Sequence, residues 1–131
     1  MEKLTPLQKL RQYVVNILNE DGTEAPTSPA DIDKQYEAWY ESDYDALHEA
    51  QSELRHIGVE TGLSCEYSRH YESKAVAAKM LDGSWVGWTY WYGGGKHGEP
   101  EAIDWMDDAY DLDCAEEEKV VIVRTFSKAS Q

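Results

Sequence analysis

Apolar residues recur at helical spacing in roughly the first half of the chain and at strand-like spacing after it. In residues 4–18 this spacing predicts an amphipathic helix, with Thr5 as its cap and Pro6 at its first position. Its apolar positions are Leu7, Leu10, Val14, Ile17 and Leu18. The polar side of the same helix carries Lys3, Lys9 and Arg11, which we expect to pair with the acidic helix that follows.

A second, longer helix is predicted to begin at Ser28, where a capping side chain is followed by Pro29 and by Asp31 in the first turn. We expect it to end at Gly58 or Gly62. Its predicted buried stripe consists of Ile32, Tyr36, Trp39, Tyr40, Tyr44, Leu47, Ala50, Leu54 and Ile57. A break near residues 42–43 is the alternative, because Ser42 and Asp45 have the spacing of a second capping pair.

The rest of the chain is predicted to form strands. The first strand spans residues 63–81 with a bend near Ser73, and the turn Asp82-Gly83 joins it to a strand at 84–92. A third, irregular strand lies within 103–114, where a short helix at 100–109 is the alternative, and a fourth spans 119–126. The sequence therefore predicts a single α+β domain, residues 1–131, with two N-terminal helices (3–60) packed on a four-stranded antiparallel meander (63–127).

Composition narrows the partners that the chain can take. The 131 residues are 41% hydrophobic, which is typical of a globular protein, yet the formal net charge is −14. So much negative charge repels nucleic acid and anionic membranes, and it favours association with a basic protein. No apolar run reaches the length of a membrane span, and the first residues lack the apolar core of a secretion signal, so we expect a cytoplasmic protein.

Six acidic residues follow one another at intervals of four in the second helix, and we call them the acidic ladder: Asp33, Glu37, Glu41, Asp45, Glu49 and Glu53. Like charges at this spacing repel each other in a helix, so the pattern is not explained by folding alone. Successive carboxylates lie about 6 Å apart along the axis and so resemble a row of phosphates. A plain solvated helix face is the alternative interpretation.

A second acidic tract covers residues 99–118, which contain ten acidic residues and no basic one. We expect four of its members to extend the acidic surface: Asp107, Asp108, Asp111 and Asp113. A solvated strand and turn is the alternative, while the spacing of an EF-hand calcium loop is absent.

Other chemistries have weaker support in the sequence. The glycine-rich loop 93–98 lacks the spacing of a phosphate-binding loop, but together with the aromatic strand it suggests an alternative small-ligand site at Trp88, Tyr90, Trp91, Lys96 and His97. The four histidines fall into no zinc spacing, and strand alternation separates Cys65 from His70. We therefore predict no metal, no cofactor and no enzymatic activity, and we expect Cys65 and Cys114 to be buried thiols, a disulfide being the alternative.

The stretch WTYWYGGGKHGEPEAIDW (residues 88–105) resembles small accessory proteins of phages and mobile elements, and it covers under a fifth of the chain. The whole chain is also similar in style to phage-encoded DNA-mimic inhibitors of the anti-restriction and anti-CRISPR type. That class is defined by surface charge, so the resemblance assigns no residue a role. It implies a non-enzymatic inhibitor in the host cytoplasm that occupies a basic nucleic-acid-binding surface. A small-ligand-binding domain and a virion assembly protein are the alternatives, and a homo-oligomer remains open.

Overall fold

Across residues 3–19, 22–65, 71–93 and 103–129, which the computed structural model describes, the chain forms three helices and one four-stranded antiparallel sheet. This confirms the α+β class. The elements in chain order are α1 (Pro6–Leu18), α2 (Pro29–Ser42), α3 (Tyr44–Ile57), β1 (Val59–Glu60), β2 (Glu72–Lys79), β3 (Trp85–Tyr92) and β4 (Tyr110–Leu112). None of the three helices combines the length and apolar composition that a bilayer crossing requires.

The predicted helix starts are formed by local side-chain caps. At α1 the Thr5 hydroxyl accepts a hydrogen bond from the Gln8 amide at 3.2 Å, and the Gln8 side chain accepts one from the Thr5 amide at 3.0 Å. At α2 the Ser28 hydroxyl accepts from the Asp31 amide, and Pro29 occupies the first helical position. These bonds satisfy amides that lack a partner within the helix.

The prediction of one long helix from Ser28 to Ile57 is wrong, and the alternative break is confirmed. Asp43 has a non-helical backbone, with φ −152° and ψ 77°. Its carboxylate caps α3 by accepting from the Ala46 amide at 3.2 Å, while its own amide closes α2 on the carbonyl of Trp39 at 2.9 Å. A single aspartate therefore ends one helix and begins the next, one residue after the predicted cap at Ser42.

The sheet has the strand order β1-β2-β3-β4, with neighbours in sequence paired antiparallel. The predicted strand at 84–92 is confirmed as β3, and its hairpin turn contains Gly83 at φ +87°, a conformation that favours glycine. Of the predicted strand at 63–81, Glu72–Lys79 is confirmed as β2, and residues 66–70 lie outside the described residues. Residues 61–65 run outside any strand, and the two-residue β1 was not predicted.

The helices cover one face of this sheet. On that face Val76 pairs across the strands with Trp88, and both are buried together with Leu10, Leu47 and Leu54 from the helices. Strand alternation places Ala75, Ala77 and Trp85 on the opposite face, which we call the outer face. In addition, α1 contacts both α2 and α3, so the three helices form one layer.

The predicted strand at 119–126 is wrong. Residues 113–129 form no strand, and all of them are exposed. The segment has high β-propensity, but in the described chain it pairs with neither edge strand of the sheet, β1 or β4, and a strand needs such a partner for its backbone hydrogen bonds. The third predicted strand is reduced to β4, and the described part of 100–109, residues 103–109, is not helical. Both cysteines are free thiols, and neither is buried as expected, because Cys65 is half-buried and Cys114 is exposed.

Candidate partner-binding surface

The first member of the acidic ladder is neutralised by the protein itself. The Asp33 carboxylate accepts from the Arg11 guanidinium at 2.8 Å and from the side-chain amide of Gln8 at 3.2 Å. Both donors lie on α1, so the expectation that basic residues of the first helix pair internally is confirmed for Arg11. Asp33 therefore contributes to helix packing and not to an open negative surface.

The other five members of the ladder are exposed, and within the described chain none of them forms an ion pair. Glu37 and Glu41 lie on α2, and Asp45, Glu49 and Glu53 lie on α3. We call these five residues the free ladder. Within each helix, consecutive members are one four-residue step apart, about 6 Å along the axis. The break at Asp43 divides the row into a group of two and a group of three.

Two exposed tyrosines adjoin the free ladder where α2 meets α3. Tyr40 is 56% exposed and Tyr44 is 53% exposed, so their predicted place in the buried stripe is wrong, as it is for Ile57 at 40%. Their rings meet edge to face with centroids 5.2 Å apart, and the Tyr44 ring lies 6.2 Å from that of His48. Exposed tyrosines are frequent anchors of protein interfaces, because they carry a large contact area with little side-chain entropy.

Tyr40 and Tyr44 were not predicted to be exposed, because the predicted buried stripe was continued through Asp43. Along α2 the buried face is set by Ile32, with Tyr36 and Trp39 partly buried beside it. The break interrupts this register, and the side chains nearest to it turn toward solvent. The available signal was the capping preference of Asp43, which restarts the helical pattern.

The second acidic tract meets the helices at one cleft of about 450 Å³, which we call the helix cleft. Asp104 and Asp107 line one side of it, and Tyr44 and His48 line the other. The structure therefore brings Asp107 next to the aromatic residues that adjoin the free ladder. A hydrogen bond with the Asp104 carboxylate raises the pKa of Asp107, and the negative charge of Asp104 adds to the effect.

The other predicted members of this tract have different surroundings. Asp108 and Asp113 are exposed, whereas Asp111 accepts a hydrogen bond from the ammonium of Lys9 at 2.8 Å. The Lys9 side chain is only 7% exposed, so this ion pair ties α1 to β4. Asp111 is therefore already paired, and we do not count it among the free carboxylates.

Inside the helix cleft, the hydroxyl of Tyr36 contacts both Gln51 on α3 and Met106, which precedes β4. This hydroxyl accepts from the side-chain amide of Gln51 and lies 3.9 Å from the sulfur of Met106. The Arg11 guanidinium lies over the Tyr36 ring, 4.8 Å from the centroid. Burial raises the pKa of the Tyr36 phenol. This polar cluster fixes the wall of the cleft between α2 and α3.

The residues of the alternative ligand site are spread over both faces of the sheet. Trp88 is fully buried in the core against Trp105, with ring centroids 5.2 Å apart. Tyr90 lies on the same face under the guanidinium of Arg55, whereas Trp91 faces the other way. The two remaining members, Lys96 and His97, lie outside the described residues.

No protein-family model, curated protein or solved structure matches this chain. In the part of the chain that the structure describes, no group of three or more His, Cys, Asp or Glu side chains is placed to hold a metal ion. The geometry of the acidic surface is therefore the basis for any functional proposal.

Proposed function

We propose that this protein is an acidic, non-enzymatic inhibitor that occupies the nucleic-acid-binding surface of a basic host or defence protein. The observation that carries the proposal is the free ladder, Glu37, Glu41, Asp45, Glu49 and Glu53, whose carboxylates are exposed and form no ion pair among the described residues. A protein that folds with such a row accepts repulsion between neighbouring carboxylates in the free state. A basic partner relieves that repulsion on binding.

The surface combines charge with contact area. The carboxylates of the free ladder take the place of phosphates against arginine and lysine side chains of the partner, and Asp107 extends this charge across the helix cleft. Tyr40 and Tyr44 supply aromatic area beside the carboxylates, where water can be excluded from the contact. Charge then sets the rate and the orientation of encounter, and the tyrosines slow dissociation.

The test neutralises three ladder residues in one variant, E37Q/E41Q/D45N. The matched control is E116Q/E117Q/E118Q, which changes the net charge by the same amount in the exposed segment after β4. Heparin-binding proteins of a bacterial lysate are captured on the immobilised wild-type chain and released with duplex DNA. Each released protein is then titrated with the wild type and with both variants at low and high salt.

We expect the ladder variant to bind about tenfold more weakly or worse, since each exposed ion pair contributes about 0.2–1 kcal/mol and three are lost together. Its salt dependence should flatten, while the control keeps most of the affinity. The ladder variant should unfold at the same temperature or slightly higher, because repulsion in α2 is relieved. Capture that duplex DNA does not reverse, or that both variants weaken equally, contradicts the proposal, and so does the absence of any captured protein.

A further inference from the structure

The C-terminal apolar segment, residues 120–126, is exposed to a degree unusual for its composition. The exposed fractions are 98% for Val120, 76% for Val121, 74% for Ile122, 84% for Val123 and 86% for Phe126. Both alternation registers of the segment contain apolar side chains, which is typical of a strand buried on both faces. Contiguous exposed apolar residues of this kind mark a site of association.

The outer face of the sheet carries a cleft of about 330 Å³ that lacks an apolar occupant, and we call it the outer cleft. Its floor and rim include Val59, Leu63, Ala77, Trp85 and Leu112. Val59 in β1 is 58% exposed, and Leu63, which follows β1 outside any strand, is 51% exposed. The helices lie on the opposite face, and on the outer face Ala75, Ala77 and Trp91 are buried, so the exposed apolar part of this face is the rim of the outer cleft.

The distribution of charge along the chain indicates which molecule residues 120–126 can bind. Residues 119–131 contain Lys119, Arg124 and Lys128 and no acidic residue, whereas residues 1–118 contain all 26 acidic residues of the chain and nine of its 12 basic ones. At the outer cleft Asp113 is exposed and forms no ion pair among the described residues, whereas Glu60 is paired with Lys74 at 2.9 Å and Lys79 is exposed on the outer face. A cationic apolar segment is thus complementary to an acidic body of the composition that this chain has.

Chain geometry favours an acceptor on another molecule. Ala115 lines the outer cleft, and Val120 follows only five residues later, so the segment begins close to its own cleft. It nevertheless stays exposed along its length in the single chain. Within the described residues of one copy the segment stays exposed and does not fill the outer cleft, and a reciprocal exchange between two copies covers both at once with two-fold symmetry.

We propose that two copies of this chain form a homodimer in which residues 120–126 of each copy occupy the outer cleft of the other. Alternate side chains of the segment then pack on Trp85 and Leu112. The same exchange places Arg124 within the acidic body of the second copy. The acidic surface on α2 and α3 lies on the helical layer, across the sheet from this contact, and remains accessible.

The test measures the mass of the full chain by light scattering with size exclusion at low and high micromolar concentration. A donor-defective variant, V121D/V123D, changes two side chains that make no core contact, and an acceptor-defective variant, V59K/L63K, changes two exposed positions of the outer cleft. The matched control T27D/A30D adds the same charge as the donor variant at exposed positions near the start of α2. Circular dichroism verifies that each variant is folded.

We expect the wild type and the control to have twice the mass of one chain, and each defective variant to have the mass of one chain. Mixing the two defective variants should restore dimers, because one intact segment then meets one intact cleft. A wild type that stays monomeric overturns the proposal. A donor-defective variant that stays dimeric also overturns the proposal, and so does a mixture of the two defective variants that stays monomeric. Binding of the segment only to a different protein would overturn it as well.

Discussion

The ion pair between Lys9 and Asp111 predicts an unequal response to removal of its two partners. The Lys9 side chain is 7% exposed and that of Asp111 is 48% exposed, with 2.8 Å between ammonium and carboxylate. In D111A a nearly buried ammonium loses its carboxylate, whereas in K9M a half-exposed carboxylate is left in contact with water. At an effective dielectric of 20 the attraction at this distance is about 6 kcal/mol, most of which desolvation of the ammonium offsets.

We therefore expect D111A to lower the free energy of unfolding by about 1–2 kcal/mol, less than the 3–5 kcal/mol of a fully buried pair because Asp111 is half exposed. K9M keeps the buried apolar stem of the side chain and should change stability by less than about 1 kcal/mol. Urea unfolding of both variants, followed by circular dichroism, measures the two values. Equal losses, or a larger loss for K9M, would refute the assignment of Lys9 as the desolvated partner.

Two further predictions concern the sheet and the second acidic tract. A Cβ at Gly87 would lie 2.7 Å from side-chain atoms of both Leu112 and Tyr110. The variant G87A should therefore lower the free energy of unfolding by about 1–3 kcal/mol. An unchanged melting temperature would contradict the packing of β4 on β3. Because hydrogen bonding with Asp104 raises the pKa of Asp107, Asp107 favours the folded state when protonated, and this contribution is lost as pH rises through its folded pKa. The variant D104N should lower the pKa of Asp107 in an NMR titration, and a pKa that stays raised would exclude Asp104 as the cause.

The elements that could be predicted from sequence are those whose signals are local. Thr5 and Ser28 cap their helices as expected, since each bond joins residues three positions apart. The strand at 84–92 was predicted by β-branched and aromatic residues after an Asp-Gly turn. The break at Asp43 was open to prediction for the same reason, but the continuous apolar stripe favoured one helix.

The elements that failed depend on distant partners. Residues 119–126 have strong strand propensity, yet propensity gives no information on whether a second strand is present to receive the hydrogen bonds. The exposure of Tyr40 and Tyr44 follows from the break at Asp43 together with the packing of α2 and α3 on α1, and only the break has a local signal in the sequence. In both cases the structure places on the surface apolar or aromatic residues that were predicted to be buried.

The candidate site shows the same division between local and distant information. The four-residue spacing alone predicted six carboxylates in one row, but it could not predict which of them form ion pairs within the protein. Arg11 and Lys9 lie two residues apart on α1, and each binds one predicted site residue, Asp33 from the helices and Asp111 from the sheet. The Arg11–Asp33 pair attaches α1 to α2 within the helical layer, and the Lys9–Asp111 pair attaches α1 to β4 and so joins the helical layer to the sheet. The acidic surface that we propose for partner binding is therefore what remains after internal pairing, and the free ladder belongs to it because α1 presents no further cation to these residues within the described chain.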